Sequence, residues 1–411
     1  MRVLFFDRIR NIDVIDRTVS TTLSSIDESL ARELNTIGRA GLKRVMRTVE
    51  RAAGATLLVD GVQVVDFSSN DYLGLAADPR IAMAAVSALQ TSSTGAAAAR
   101  LISGTQAAHV ALEREIASFK GVPASLLFMS GYAANTGTIP ALVGRRDVIY
   151  ADQLNHASLI DGARLSRAEI RVFPHLDIAA LKVMLQADAG KFRRRLIVVD
   201  GVFSMDGDIF PLADLVALAR EFGAWTYVDD AHATGILGKN GRGSAEHCGV
   251  EGEIDVSMGT LGKAVGTIGA YVAGSTVLVE YLMNRARSFI FTTAAPPSTA
   301  AATIEALRIV RTEPERRLRL AENSRYLRAR LKAIGVSAGG EPDGYIVPIV
   351  LGGSERTTSV GSALCNAGYL VGAVRPPSVP MGQSRLRITV SAAHEAGQID
   401  GLVDAIRATL C

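Results

Sequence analysis

Cysteine is scarce in this chain: Cys248, Cys365 and Cys411 are the only three in 411 residues, far apart and with no CxxC pair. That argues against a disulfide framework and against a zinc site, and it fits a reducing, cytoplasmic setting. An excess of one charge is lacking too. Lys and Arg number 44 against 41 Asp and Glu, and the net charge of +3 is too small and dispersed to suggest nucleic acid. The tightest basic run, Lys191–Arg195, reads as a solvated turn at the start of a strand. Long hydrophobic runs are missing, since none approaches the roughly 20 residues that cross a bilayer. The longest, Ile268–Met283, is interrupted by glycines and Glu280. The apolar opening Met1–Phe6 is cut by Asp7, Arg8 and Arg10 before a signal-peptide core could form. No membrane, nucleic-acid or metal partner is therefore expected, and there are no internal repeats or low-complexity segments.

What is present is alternation. Apolar residues make up 48% and charged residues 21%, a globular composition in a chain too long for one ordinary core. Ile26, Leu30, Leu34 and Ile37 have helical spacing, in a basic helix that follows a polar extension. From Val62 onward short apolar runs alternate with helical stretches. Ser125–Met129, Val148–Ala151, Ile170–Phe173, Leu196–Val199, Trp225–Val228 and Ala270–Val272 read as buried strands. Val110–Phe119, Ile178–Gln186 and Leu212–Phe222 read as amphipathic helices between them. This pattern predicts an α/β fold with a mostly parallel sheet covered on both faces. After about residue 295 a long helical stretch, Thr299–Ile334, leads to strands at Tyr345–Leu351 and Arg385–Val390 with a helix at Ser359–Ala367. The expected division is an N-terminal extension and helix (1–60), a large domain (61–295) and a smaller α+β C-terminal lobe (296–411).

The chemistry concentrates where strands end. Lys263 closes Ser257–Lys263, a small-residue turn, and Asp229 and His232 lie at the end of the strand beginning at Trp225. Ligands of open α/β sheets bind beyond the carboxyl ends of strands. A lysine amine for a Schiff base, a buried carboxylate and a flat aromatic partner are what pyridoxal phosphate (PLP) asks of a protein. Asp229 would keep the pyridine nitrogen protonated. Asp230 is the alternative, although side chains alternate along a strand. His232 could stack on the ring. Thr260 and Gly262 suit a phosphate oxygen, and Ser130–Asn135 opens a helix whose first amides can bind phosphate, with Tyr132 against the ring. His156 and Ser204 stand at two further strand ends. Nucleotide motifs fail: a P-loop would need glycine at 257 and Ser or Thr at 264, and the glycines of Gly238–Gly243 are wrongly spaced.

At these residues the chain resembles the α-oxoamine synthases, fold-type I PLP enzymes that join an amino acid to an acyl thioester with loss of carbon dioxide. The resemblance runs from about Phe67 to Ile406. It is carried by Phe67–Leu75 (FSSNDYLGL), Leu154–Gly162 (LNHASLIDG), Gly201–Gly207 (GVFSMDG) and Gly259–Lys263 (GTLGK). It implies that Lys263 holds PLP and that Asp229 pairs with the pyridine nitrogen. His156 would stack on the ring and His232 would bond its phenolic oxygen, which replaces the stacking first read for His232. Ser204, Thr260, Gly131 and Tyr132 would hold phosphate and ring. Thr292 and Thr293 would reach the phosphate in a partner subunit, making a homodimer with shared sites. Asn70 and Arg387 would bind the amino acid's carboxylate, and Arg44 and Ser378 would line the acyl site. Val374–Pro380 and Ser384–Thr389 most resemble the member that takes L-alanine and a pimeloyl thioester. One departure bears on this: Ala99 stands where the family has Ser or Thr beside the amino acid's α-carbon, which leaves the choice among glycine, alanine and serine open.

Overall fold

The computed structural model describes residues 24–51 and 54–410. Most of the polar extension, and Cys411, lie outside them. Residues 24–46 belong to a unit of their own. Its helix, Ser25–Arg39, begins at a capping box in which the Ser24 hydroxyl accepts from the Asp27 amide. The spacing of Ile26, Leu30, Leu34 and Ile37 does place them on a helix, and all four are exposed. The helix is not basic: Asp27, Glu28 and Glu33 outnumber Arg32 and Arg39, and the basic cluster Lys43, Arg44 and Arg47 follows its end.

The second unit starts with three short strands, β1 (Val49–Arg51), β2 (Thr56–Val59) and β3 (Val62–Phe67). Next come β4 (Ala124–Phe128), β5 (Val148–Asp152), β6 (Glu169–Phe173), β7 (Arg195–Asp200), β8 (Trp225–Asp229), β9 (Val256–Thr260) and β10 (Ala270–Gly274). The last three are β11 (Ile346–Gly352), β12 (Tyr369–Val374) and β13 (Ser384–Thr389). A seven-stranded sheet runs in the order β4-β10-β9-β8-β7-β5-β6, with β10 antiparallel to both neighbours and β9 through β6 parallel. A six-stranded sheet runs β1-β2-β3-β12-β13-β11. The chain segment just before the large sheet thus pairs with the C-terminal strands, through the parallel β3–β12 contact.

Burial explains why the parallel strands read as unbroken apolar runs. Along β5 and β7, Ile149, Ala151, Leu196 and Val198 enter one core. Their alternating neighbours Val148, Tyr150, Ile197 and Val199 enter another on the opposite face. With both faces covered, polar residues are excluded until the strand ends, and there stand Asp152, Asp200 and Asp229. The long helical stretch is two helices, Pro297–Thr312 and Glu315–Ala333, separated at Pro314. Proline lacks the amide the helix would need to continue. The basic run at 191–195 is a structural turn. Arg193 pairs with Asp147, Arg194 lies over the Trp225 ring, and Arg195 donates to the Phe222 carbonyl.

Candidate active site

Asp229 ends β8 and is buried. Its Oδ2 accepts from Asn135 Nδ2 at 2.8 Å and its Oδ1 from the Ala231 amide at 2.9 Å. Among the described residues it makes no ion pair. Burial raises its pKa, against the bonds from Asn135 and Ala231 and the nearby Lys263 charge. Asn135 is itself buried on the helix Gly131–Leu142, where its amide also donates to Ser158 at 2.8 Å and its carbonyl accepts from Tyr227 at 2.7 Å. Gly162 permits close packing of the two helices, since a Cβ there would lie 2.8 Å from the Asn135 main-chain carbonyl oxygen. Asp230 faces away, as strand alternation predicts: it pairs with buried Lys120 at 2.9 Å and accepts from Ser244.

Lys263 lies just beyond β9, half-buried, with Nζ 2.8 Å from His232 Nε2. Desolvation lowers its pKa to about 8, with Asp229 and Asp200 opposing the fall and Arg387 adding to it. His232 is buried, and burial with the Lys263, Arg387 and His156 charges keeps it neutral. Its Nδ1 is 2.7 Å from the Tyr72 hydroxyl, which donates to Asn70 Oδ1 at 2.9 Å. A hydroxyl donates only once, so His232 Nδ1 carries the proton and Nε2 accepts from Lys263. Arg387 Nη2 closes the chain on Asn70 Oδ1 at 3.1 Å and on the Tyr72 oxygen at 3.3 Å. One relay therefore runs from Lys263 through His232, Tyr72 and Asn70 to Arg387. Tyr345 donates to the His232 carbonyl and holds that residue from the C-terminal side.

His156 caps the helix Ala157–Ser166. Its amide donates to Asp200 Oδ2 at 2.7 Å and its Nδ1 lies 2.7 Å from the Ser158 hydroxyl. Crowding by the surrounding protein lowers its pKa, with Asp229 opposing and Lys263 adding to the fall. Burial and the adjacent Asp229 charge push the Asp200 pKa well up. Ser204 follows β7, and its carbonyl accepts from Arg387.

The remaining expected residues are less closely joined. Gly131 starts its helix behind the Ser130 cap, whereas Tyr132 turns outward, 50% exposed, to donate to Asp161. Thr260 donates to the Gly269 carbonyl at 3.1 Å. Thr293 pairs with Ala99 in an isolated bridge and Thr292 lies beside it; among the described residues neither makes a bond to the Lys263 cluster. Ser378 is exposed after β12, and Arg44 is exposed in the first unit. Asn135, Tyr72, Tyr345 and Asp200 were not singled out from sequence. Asn135 and Tyr72 lay inside motifs already quoted, but only the fold shows what they touch.

This donor set fits PLP. A buried carboxylate bonded only by neutral N–H groups suits a cationic pyridine nitrogen. A lysine shifted toward neutrality beside it suits a Schiff base. The first amides of the helix Gly131–Leu142 have no intrahelical partners, and such a helix end favours phosphate. Among the described residues no group of His, Cys, Asp and Glu is arranged to hold a metal ion.

Comparison with known proteins agrees with that chemistry. The family model for aminotransferase class I and II matches residues 62–406. An 8-amino-7-oxononanoate synthase from Geotalea daltonii is 47% identical, covering 92% of this chain and 97% of its own length. One from Geobacter metallireducens is 49% identical, covering 90% and 94%. Among solved structures, a serine palmitoyltransferase from S. paucimobilis with PLP–myriocin bound is 33% identical with a TM-score of 0.88, covering 95% of this chain and 98% of that one. The chain belongs to the aminotransferase class I and II family, in its α-oxoamine synthase branch.

Proposed function

We propose that this chain catalyses the PLP-dependent decarboxylative condensation of L-alanine with a pimeloyl thioester, giving 8-amino-7-oxononanoate, carbon dioxide and free thiol. Relatives that are 44–49% identical are named 8-amino-7-oxononanoate synthase, after that product. The reaction would serve biotin synthesis in the cytoplasm, in a homodimer. The observation that carries the reading is the relay from Lys263 to Arg387 beside buried Asp229.

PLP, when bound, supplies the electron sink that makes an amino acid's α-proton removable. The chain's own residues do the rest. Asp229 would pair with the ring's pyridinium nitrogen and keep it protonated. Lys263 would hold the cofactor's aldehyde, and its amine is the group placed to take and return the α-proton. His232 accepts from that amine, and Tyr72 and Asn70 hold His232 in one tautomer. Arg387, with Asn70, binds the amino acid's carboxylate and so fixes which bond faces Lys263. His156 would cover one face of the ring, and Ser204, Thr260, Gly131 and Tyr132 would hold phosphate and ring. Thr292 and Thr293, on the segment bridged to Ala99, would serve the partner's site. Ser378 would line the acyl site.

Ala99 favours a second reading within the same branch, condensation with glycine or serine as in glycine C-acetyltransferase, 5-aminolevulinate synthase or serine palmitoyltransferase. A matrix of acyl thioesters against glycine, alanine and serine, read as thiol release, decides between them. Alanine with pimeloyl thioester is expected to be the best pair, and finding it among the poorest would refute the assignment.

A further inference from the structure

His175 follows the edge strand β6 and takes no part in the chemistry above. Its ring reaches back toward two neighbouring strand ends. Nδ1 lies 3.0 Å from Asp152 Oδ1 at the end of β5, and Nε2 lies 3.2 Å from Asp208 Oδ2 beyond β7. An ionised carboxylate only accepts, so both ring nitrogens carry protons and the ring is an imidazolium. Burial alone would lower its pKa, but bonds to the two carboxylates outweigh burial and hold the group at about 9. Asp152 and Asp208 are the charged groups that face it, one from each neighbouring strand end. The ring also packs edge-on against Phe203, with centroids 4.3 Å apart.

Both carboxylates belong to segments that carry site residues. Asp152 is fully buried and accepts from the Leu154 amide at 2.8 Å and the Leu176 amide at 2.9 Å. It thereby fixes the start of the segment that ends at His156. The Asp208 carbonyl accepts from the Phe203 amide at 3.0 Å, and Val202 pairs with Ile209, closing the hairpin that presents Ser204. A single cation joins the two segments.

We propose that His175 is a positioning residue. As an imidazolium between Asp152 and Asp208 it locks segments 153–156 and 203–208 together, so that the His156 ring and the Ser204 hydroxyl offer PLP one preformed surface. This rests on the reading that the site holds PLP. A neutral replacement leaves Asp152 a buried carboxylate without its cation and loosens both segments.

The test compares wild type, His175→Gln and His175→Arg. It reads the rate of PLP release from each holoenzyme and amide hydrogen exchange of the two segments in the PLP-free proteins. His175→Gln is expected to release PLP about tenfold faster, as expected for loss of a charge-assisted hydrogen bond. Both segments should exchange faster, while borohydride still fixes PLP on Lys263. Arginine keeps a charge and donors on both sides and should restore most of the difference. The advantage of wild type over His175→Arg should shrink as pH rises through about 9, because only the histidine discharges. Titration of Lys263 is common to both proteins and cancels in the ratio. A merely structural role would lower the melting temperature without separating Arg from Gln in PLP release. If His175→Gln does not fold, Asp208→Asn replaces it with the same expected loss. Release within about twofold of wild type, or a loss that arginine fails to relieve, overturns the proposal. A wild-type protein that carries no PLP on Lys263 overturns the cofactor reading instead.

Discussion

At the residue scale, the site depends on one lysine being close to neutral. Desolvation is the main reason Lys263 titrates at about 8 in place of 10.5, and the Asp229 carboxylate limits the fall. An amine reacts only when unprotonated, so labelling of Lys263 in the PLP-free protein should rise through about pH 8. Asp229→Asn removes the anion that favours the ammonium, so that midpoint should move lower still. An unchanged midpoint would mean that the two groups do not sense each other. The sequence pointed to this pair because a carboxylate at the end of an apolar strand and a lysine on a glycine turn are local signals. It could not show that Asn135 bonds Asp229, or that Tyr72 joins His232 to Arg387. Those contacts link residues 94, 160 and 315 positions apart, so only the folded chain reveals them.

At the element scale, legibility followed burial. The parallel strands β5, β7 and β8 are apolar because both faces are covered, so composition alone marks them. β9 is buried too, yet its Ser257, Gly259 and Thr260 hide it from an apolar count and make it read as a turn. Gly259 is required there, since a Cβ would lie 2.4 Å from the Tyr271 hydroxyl. The break at Pro314 was visible as a proline, but its consequence is tertiary. Asp78 caps the helix Pro79–Thr91, bonds Arg80 Nη2 at 2.8 Å and pairs with Arg316 at 3.0 Å, and Glu313 at the break joins both arginines. The Arg80 bond is the main cause of the Asp78 pKa lying at about 2. Asp78→Ala should destabilise by about 1–2 kcal/mol, as for a lost helix cap. Asp78→Asn keeps the cap and should lose about 0.5–1 kcal/mol, since the arginines are partly solvated. A carboxylate with a depressed pKa stabilises above its unfolded value of 3.8 and stops doing so as pH falls toward about 2. The advantage of wild type over Asp78→Asn in urea unfolding should therefore be full at neutral pH and shrink below pH 3.8. Equal losses for the two variants would show that the cap contributes nothing beyond its charge.

At the scale of the whole molecule, the proposed homodimer would complete the site from a second copy. Ile102 is 82% and Phe291 69% exposed. The Ala99–Thr293 bridge ties their two segments together, so exposed apolar side chains stand on the segments of Thr292 and Thr293. In the proposed dimer a second subunit covering those side chains would bring the threonines toward its own Lys263 and Ser204, an interface self-complementary about a twofold axis. The arrangement can be tested by mixing defects. A Lys263→Ala subunit and a Thr292→Ala/Thr293→Ala subunit should each form an inactive dimer. With shared sites, a mixed dimer places both defects at one site and leaves the other intact, so co-expression in equal amounts should restore about a quarter of the wild-type sites. With sites built from one chain each, every site in the mixed dimer carries a defect and nothing is restored. Thiol release by co-expressed subunits, normalised to total subunits, separates the two arrangements. Restored activity would also show that the threonines act on PLP across the interface, because a defect in folding alone would not be complemented by a subunit that lacks Lys263.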